Sequence, residues 1–230
     1  MDIKKYLMIL TAVVCFGISA IAQGKTYQVG DLYDENGVKG YVIKVTDGGK
    51  HGLLLSLTIN ISAFSYKDCW SVDVDNKFQT EAFHEDDGAK NMAAIAKFIE
   101  ENGKSWDDFP IFKWARELGD GWYIPAKDEL EDIFIAINGG FGKLNKKTMK
   151  KFAKTFKKAG GKGSWIGPMR IAATDDTALT LWSSTEAEGG KAYCSMAKTN
   201  LVTGKVTYEI TTSNKKPEVI AVRARAVHKF

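Results

Sequence analysis

The chain has few of the residue types that build metal centres and covalent active sites. Its 230 residues include three cysteines, three histidines and four prolines. His51, His84 and His228 lie far apart and fit no HxxH or HExxH spacing, so we expect no metal and no other cofactor. No serine stands in a GxSxG pattern, and no glycine-rich stretch has phosphate-loop spacing. These absences favour a binding protein over an enzyme.

Long apolar runs are also absent, except at the N-terminus. Lys4 and Lys5 precede an apolar run over 6–18, and Ala20 and Ala22 provide the small residues of a cleavage site. We therefore predict a signal peptide over 1–22 and one domain over 23–230. The product is expected to be exported to the periplasm, the cell surface or the medium. An uncleaved N-terminal anchor is the alternative, and we predict no transmembrane segment in the mature chain.

Two cysteines, Cys69 and Cys194, remain after the predicted cleavage. In an oxidising compartment they allow one disulfide. The sequence leaves open whether the two sulfurs meet.

Hydrophobic periodicity places strands at both ends of the chain and helices between them. Alternating or short apolar runs bounded by turn residues predict strands within 25–61 and 179–227, with a short strand at 69–74. Apolar residues at helical spacing predict helices within 85–102, 109–119, 127–139 and 143–163. Asp86 or Asp87 is expected to cap the first helix. Without βαβ alternation, this order predicts an α+β fold, an antiparallel sheet with flanking helices.

Charge is distributed unevenly along the chain. Residues 143–162 contain nine lysines and no acid, while the whole chain carries +4, which leaves −5 (4 minus 9) for the rest. Such asymmetry indicates a site for an anionic partner, such as a sulfated glycan or an anionic surface. The alternative is an ordinary solvated helix face. Lysine instead of arginine, and the lack of an aromatic on the polar side, favour this alternative; export argues against nucleic acid. The candidate ligand-binding residues are Lys150, Lys151, Lys154, Lys157 and Lys158.

Three motifs resemble the signatures of a bacterial domain family long described as of unknown function. GWYIPAKDEL (121–130) resembles WxLPxxxEL, LWSSTE (181–186) resembles YWSSTE, and VIAVRARAVHKF (219–230) resembles VRxVRAF. The family includes the C-terminal domain of the Legionella collagen-like adhesin and the major paralogous domain of Fibrobacter succinogenes. The resemblance, over about 27–230, implies a C-type-lectin-like fold related to the formylglycine-generating enzymes. It implies structural roles for Trp122, Pro125, Glu129, Leu130, Trp182, Ser183 and Ser184.

The departures from the family pattern bear on stability and activity. Ala126 replaces the usual threonine cap, so we expect the following helix start to be weaker by about 1 kcal/mol. Formylglycine-generating enzymes use a close cysteine pair late in the chain, where this sequence has Cys194 alone. The sugar-binding motifs of calcium-dependent lectins are also missing.

We therefore predict an exported, non-enzymatic binding or adhesion module. The alternatives are an enzyme derived from the same fold and a structural subunit of a surface assembly. The ligand is expected to be an anionic glycan or another surface protein. The expected binding surface comprises 143–162 and the loops at 163–177 and 186–191.

Overall fold

A computed structural model of the chain describes residues 25–60, 69–72, 78–162, 180–200, 202–216 and 222–230. The predicted signal peptide and the loop at 163–177 lie outside these ranges. The elements are β1 (Leu32–Glu35), β2 (Val38–Thr46), β3 (His51–Ser56), α1 (Gly88–Glu101), α2 (Pro110–Glu117), α3 (Lys127–Asn138), β4 (Gly142–Lys143), α4 (Lys146–Lys158), β5 (Trp182–Ala187), β6 (Lys191–Thr199), β7 (Val206–Asn214) and β8 (Val227–Lys229). The predicted α+β class is confirmed.

The strands form two antiparallel sheets where we expected one. Their orders are β1-β2-β3-β8 and β4-β7-β6-β5. In the first sheet, Leu55 of β3 pairs with Val227 of β8, so the beginning and the end of the domain meet. Pairing between strands so distant in sequence depends on tertiary packing, and local periodicity carries no information about it.

Strand β3 explains why the first sheet is covered on both faces. Its HGLLLS sequence carries three consecutive leucines. Because side chains alternate along a strand, Leu54 packs in one core with Trp122, while Leu53 and Leu55 pack in a second core with helices α3 and α4. A continuous apolar run is expected where both faces of a strand are buried. The sheet therefore separates two hydrophobic clusters.

The four helices begin and end close to the expected residues. The carboxylate of Asp87, and not that of Asp86, caps α1 by accepting the amides of Ala89 and Lys90 at 3.1 and 3.2 Å. Helix α3 ends at Gly139, whose φ of 86° lies in the left-handed region that favours glycine. Within the part of the chain described above, no helix is long and apolar enough to cross a bilayer.

Two predicted strands differ from the structure. Cys69–Val72, the described part of the expected strand at 69–74, is not a strand, because the Trp70 and Ser71 amides both bond to the Lys215 carbonyl. The final strand is only Val227–Lys229. The segment just before it hydrogen-bonds to both sheets. The Ser56 amide of β3 donates to the Ala226 carbonyl, and the Trp182 amide of β5 donates to the Arg223 carbonyl.

Replacing Asp87 by alanine is expected to lower the free energy of unfolding by about 1–2 kcal/mol, because two amides of α1 lose their acceptor. The neighbouring Asp86→Ala change removes an exposed carboxylate and should shift it by less than about 0.5 kcal/mol. Urea denaturation followed by circular dichroism measures both variants. Equal losses in the two variants would contradict the assignment of the cap.

Candidate functional site

Helix α4 carries the candidate ligand-binding lysines on one side and a core stripe on the other. Met149, Phe152 and Phe156 are buried. The Tyr41 ring of β2 packs edge-on against the Phe152 and Phe156 rings, with distances of 5.2 and 5.3 Å between ring centres. The Tyr41 and Thr155 hydroxyls hydrogen-bond at 2.6 Å. These contacts fix the rotation of the helix, and its opposite side faces solvent.

All seven lysines of α4 are exposed and lie on the side opposite the core stripe. We call this surface the lysine face; it comprises Lys146, Lys147, Lys150, Lys151, Lys154, Lys157 and Lys158. The structure thus brings the five predicted lysines together on one surface about 20 Å long, given a rise of about 1.5 Å per residue. Lys146 and Lys147 were missed as site residues, although the nine-lysine count of 143–162 already included them.

Within the described residues, the lysine face differs from other basic positions in having no acidic neighbours. Elsewhere lysines often lie beside carboxylates, as in Lys39–Asp34 at 2.7 Å, Lys44–Asp132 at 2.8 Å and Lys113–Asp107 at 2.6 Å. Among the described side chains, no carboxylate lies within 4.0 Å of a lysine ammonium on α4. No described carboxylate therefore neutralises its positive charge.

Like charges also stack along this face. The pairs four residues apart are Lys146–Lys150, Lys147–Lys151, Lys150–Lys154 and Lys154–Lys158. On a helix such pairs are neighbours, and each is unfavourable by about 0.2–0.5 kcal/mol. A bound polyanion would relieve this repulsion.

The family-like motif at 121–130 forms a buried corner. Trp122, Pro125 and Leu130 are all buried. A Cβ at Gly40 of β2 would lie 3.1 Å from Cη2 of Trp122, so a glycine gives the indole room against the strand. The motif residues therefore act in packing, and none of these three side chains reaches the lysine face.

Glu129 is the polar centre of this corner. Its carboxylate accepts the Tyr123 hydroxyl at 2.6 Å, the Ala126 amide at 2.9 Å and the Gly88 amide at 3.0 Å. It thus joins the first residue of α1 to the start of α3. A Cβ at Gly88 would lie 2.3 Å from the Ile124 carbonyl oxygen, so this approach of α1 to the corner requires glycine.

Burial raises the pKa of Glu129, and the three hydrogen bonds to its carboxylate oppose that rise. Burial also raises the pKa of Tyr123, and the negative charge of Glu129 adds to the effect. Tyr123 therefore stays a neutral donor at any ordinary pH.

The start of α3 compensates for the missing threonine cap. Ala126 has no side-chain oxygen, so only the glutamate half of a capping box is present. The next two amides find acceptors elsewhere: Lys127 donates to Oγ1 of Thr185 at 3.0 Å, and Asp128 donates to the Glu85 carbonyl at 2.7 Å. Tertiary contacts thus offset the weakening that the sequence predicts.

The LWSSTE motif lies in the protein interior on β5. Trp182, Ser183 and Ser184 are fully buried. Oγ of Ser183 accepts the Thr185 amide at 3.0 Å, and Oγ of Ser184 accepts the Asn91 side chain at 3.1 Å. Hydroxyls enclosed in this way act as structural acceptors, with no access for a substrate.

Glu186 was expected to begin a surface loop at 186–191, and this is wrong. It belongs to β5, is buried, and forms an ion pair with the fully buried Lys215. The Lys215 ammonium lies 4.6 and 4.5 Å from the centres of the Trp70 and Phe78 rings, which provide cation–π contacts. A buried charge requires such partners, so this pair is structural.

Cys69 and Cys194 are both buried, and a disulfide between them stays a prediction. Burial raises the pKa of the Cys194 thiol to about 12. A thiol with that pKa is protonated at neutral pH and is a poor nucleophile.

Acidic and metal-binding groups form no cluster in the described part of the chain. There, no group of three or more histidine, cysteine or acidic side chains could hold a metal ion. The acids of 128–132 point to different surroundings: Glu129 is buried, Asp132 pairs with Lys44, and Asp128 and Glu131 are exposed. They offer no carboxylate pair across a cleft.

No protein-family model matches this chain, and no curated protein or solved structure matches it either. The resemblance to the bacterial domain family, and with it the C-type-lectin-like fold, stays a prediction.

Glu129→Ala is expected to lower the free energy of unfolding by about 3 kcal/mol, because three buried donors lose their acceptor. Glu131→Ala, an exposed position on the same helix, should change it by less than about 0.5 kcal/mol. Guanidinium denaturation monitored by tryptophan fluorescence compares the variants. Similar stabilities would show that the carboxylate is not needed at the corner.

The Glu129→Gln variant tests the raised pKa. A carboxyl whose pKa is higher in the folded than in the unfolded protein contributes its full stabilisation at pH values below its unfolded pKa, 4.5. This contribution is lost as the pH rises through the folded-state pKa. Glutamine cannot titrate, so the stability advantage of wild type over Glu129→Gln should grow as the pH falls from 7 towards 4.5. Urea midpoints measured at several pH values test this. If the stability advantage of wild type shrinks as the pH falls, folding lowers the pKa of Glu129 instead of raising it.

Proposed function

We propose that this protein is an exported, non-enzymatic binding or adhesion module with a C-type-lectin-like domain, and that its lysine face holds a polyanionic partner at the cell surface or in the periplasm. The observation that carries the proposal is the concentration of seven exposed lysines on one rigid helix face without an acidic neighbour in the described structure. An ordinary solvated helix face has charges of both signs.

The geometry favours a partner with many spaced charges over a small anion. The ammonium groups extend along the whole helix, each on a flexible stem. Lysine interacts as a point charge and lacks the planar fork with which arginine recognises a single phosphate or carboxylate. Such a surface suits an extended polyanion or an anionic layer.

The buried motifs support a non-enzymatic role. Ser183 and Ser184 are enclosed, and the Cys194 thiol is protonated at neutral pH. These three side chains are thus poorly suited to act as nucleophiles. The exposed lysines of α4 are available to a partner.

Heparin, a soluble sulfated glycan, serves as the probe. The Lys150/Lys154/Lys157/Lys158→Ala variant is expected to bind at least about tenfold more weakly than wild type, because four charges are removed from one surface. Wild-type binding should weaken steeply as salt rises from 0.05 to ~0.5 M, because screening shortens the reach of exposed charges. Elution from heparin resin and titration calorimetry measure both effects.

The matched control is Lys39/Lys90/Lys97/Lys113→Ala. It removes the same formal charge from other elements, where each lysine lies beside a carboxylate. It should bind heparin nearly as wild type does. Equal weakening of both variants would reduce the effect to net charge and contradict a specific lysine face.

A further inference from the structure

The turn between β6 and β7 carries an apolar side chain into solvent. Val202 is 95% exposed, more than any other large hydrophobic side chain that the structure describes. It follows Asn200 at the end of the β6–β7 hairpin, and the residues after it, Thr203, Gly204 and Lys205, are also exposed. Hydration of the valine side chain is unfavourable, so this position needs an explanation.

Four backbone amides of this turn already have acceptors within it. Oδ1 of Asn200 accepts the amides of Val202 at 3.0 Å and Thr203 at 2.9 Å. The Gly204 amide donates to the Asn200 carbonyl at 2.7 Å, and the Lys205 amide donates to Oγ1 of Thr203 at 3.4 Å. Unpaired amides are what makes a loop costly to transfer into a low-dielectric medium. This turn can leave water without losing hydrogen bonds at these four amides.

The start of β7, which follows this turn, lies next to the N-terminal end of the lysine face. Lys143 of β4 pairs with Thr207 of β7, and the Leu144 amide donates to the Val206 carbonyl at 3.0 Å. This pairing brings the base of the hairpin, with the exposed Lys205, beside the first residues of α4. The hairpin that carries Val202 is therefore attached to the segment from which the cationic helix begins.

We propose that the protein docks on an anionic lipid bilayer, with Val202 entering the interface and the lysine face lying against the headgroups. The inference rests on the proposed function and names its partner class. A soluble sulfated chain matches the lysines but offers no apolar phase for Val202. A bilayer provides both, because an anionic headgroup layer covers a hydrocarbon phase.

Vesicle co-sedimentation tests the proposal, with phosphatidylcholine alone or mixed with about a third phosphatidylglycerol, an anionic fraction large enough for electrostatic attraction. All proteins are purified from the exported fraction, and mass spectrometry verifies that they share the same N-terminus. Wild type should bind the anionic vesicles and not the neutral ones. Val202→Ser should bind the anionic vesicles about fivefold more weakly than wild type, because the variant has less apolar surface to bury in the bilayer. Val202→Leu should bind them at least as well as wild type.

Val29→Ser is the matched control, since Val29 is also an exposed valine, at 54%, on the segment before β1. It should bind vesicles as wild type does. Heparin binding of Val202→Ser should equal that of wild type, because no charge changes. The Lys150/Lys154/Lys157/Lys158→Ala variant should lose both heparin and vesicle binding.

A probe at the tip gives an independent readout. Val202→Cys labelled with nitrobenzoxadiazole should shift its emission to the blue on anionic vesicles, because the dye leaves water; Thr207→Cys, an exposed position on β7, should shift less. Both native cysteines of the described structure are buried, and mass measurement confirms the labelled position.

The outcomes separate the two proposals. Heparin binding without vesicle binding, or equal vesicle binding by wild type and Val202→Ser, would overturn the bilayer inference and leave the lysine face as a polyanion site. Equal binding to neutral vesicles would overturn it as well. Absence of binding to both heparin and anionic vesicles at low salt would overturn the proposed function itself.

Discussion

The buried carboxylate of Glu129 is the interaction on which the arrangement of the helices depends. It accepts donors from three segments: the first residue of α1, the start of α3 and the tyrosine between them. Helix N-termini have unpaired amides that attract negative charge. One carboxylate satisfies two such termini at once, so neither helix can move at the corner without breaking the bonds of the other. Gly88 allows the required close approach.

The corner is connected to the lysine face through the second core. Helix α3 leaves Glu129 and buries Ile133, Phe134 and Ile137 against the apolar stripe of α4. The centre of the Phe134 ring lies 5.4 Å from the centre of the Tyr208 ring of β7. This contact packs the β6–β7 hairpin against the same cluster. The groups that bury the core therefore also fix the direction of the lysines and the place of Val202.

The buried lysine Lys215 has an acidic partner, whereas the exposed lysines of α4 have none among the described residues. Inside, Lys215 is paired with Glu186 and placed between aromatic rings, because a buried charge without partners is costly. Outside, the lysines of α4 remain without acidic neighbours in the described structure. Sequence alone does not reveal the interior pair: Lys215 follows Asn214 in a polar stretch typical of a turn, and Glu186 was predicted to begin a loop.

Local sequence determined the helices, their core stripes and most strands. Periodicity at 127–139 and 143–163 fixes which side chains face inward, and Asn36-Gly37 fixes the first hairpin turn, because these signals arise within a few residues of one another. The nine lysines of 143–162 and the five candidate site residues also came from sequence alone. Export and the family resemblance remain predictions from the sequence.

Tertiary structure alone decided what depends on contacts between distant residues. It divided the strands into two sheets, paired β3 with β8, and replaced the missing cap of α3 by Thr185 and Glu85. It also placed the β6–β7 hairpin beside the segment that leads into α4, through the pairing of β4 with β7. These contacts join residues tens of positions apart, and local patterns along the chain cannot encode which of several compatible partners a strand or a helix end will find.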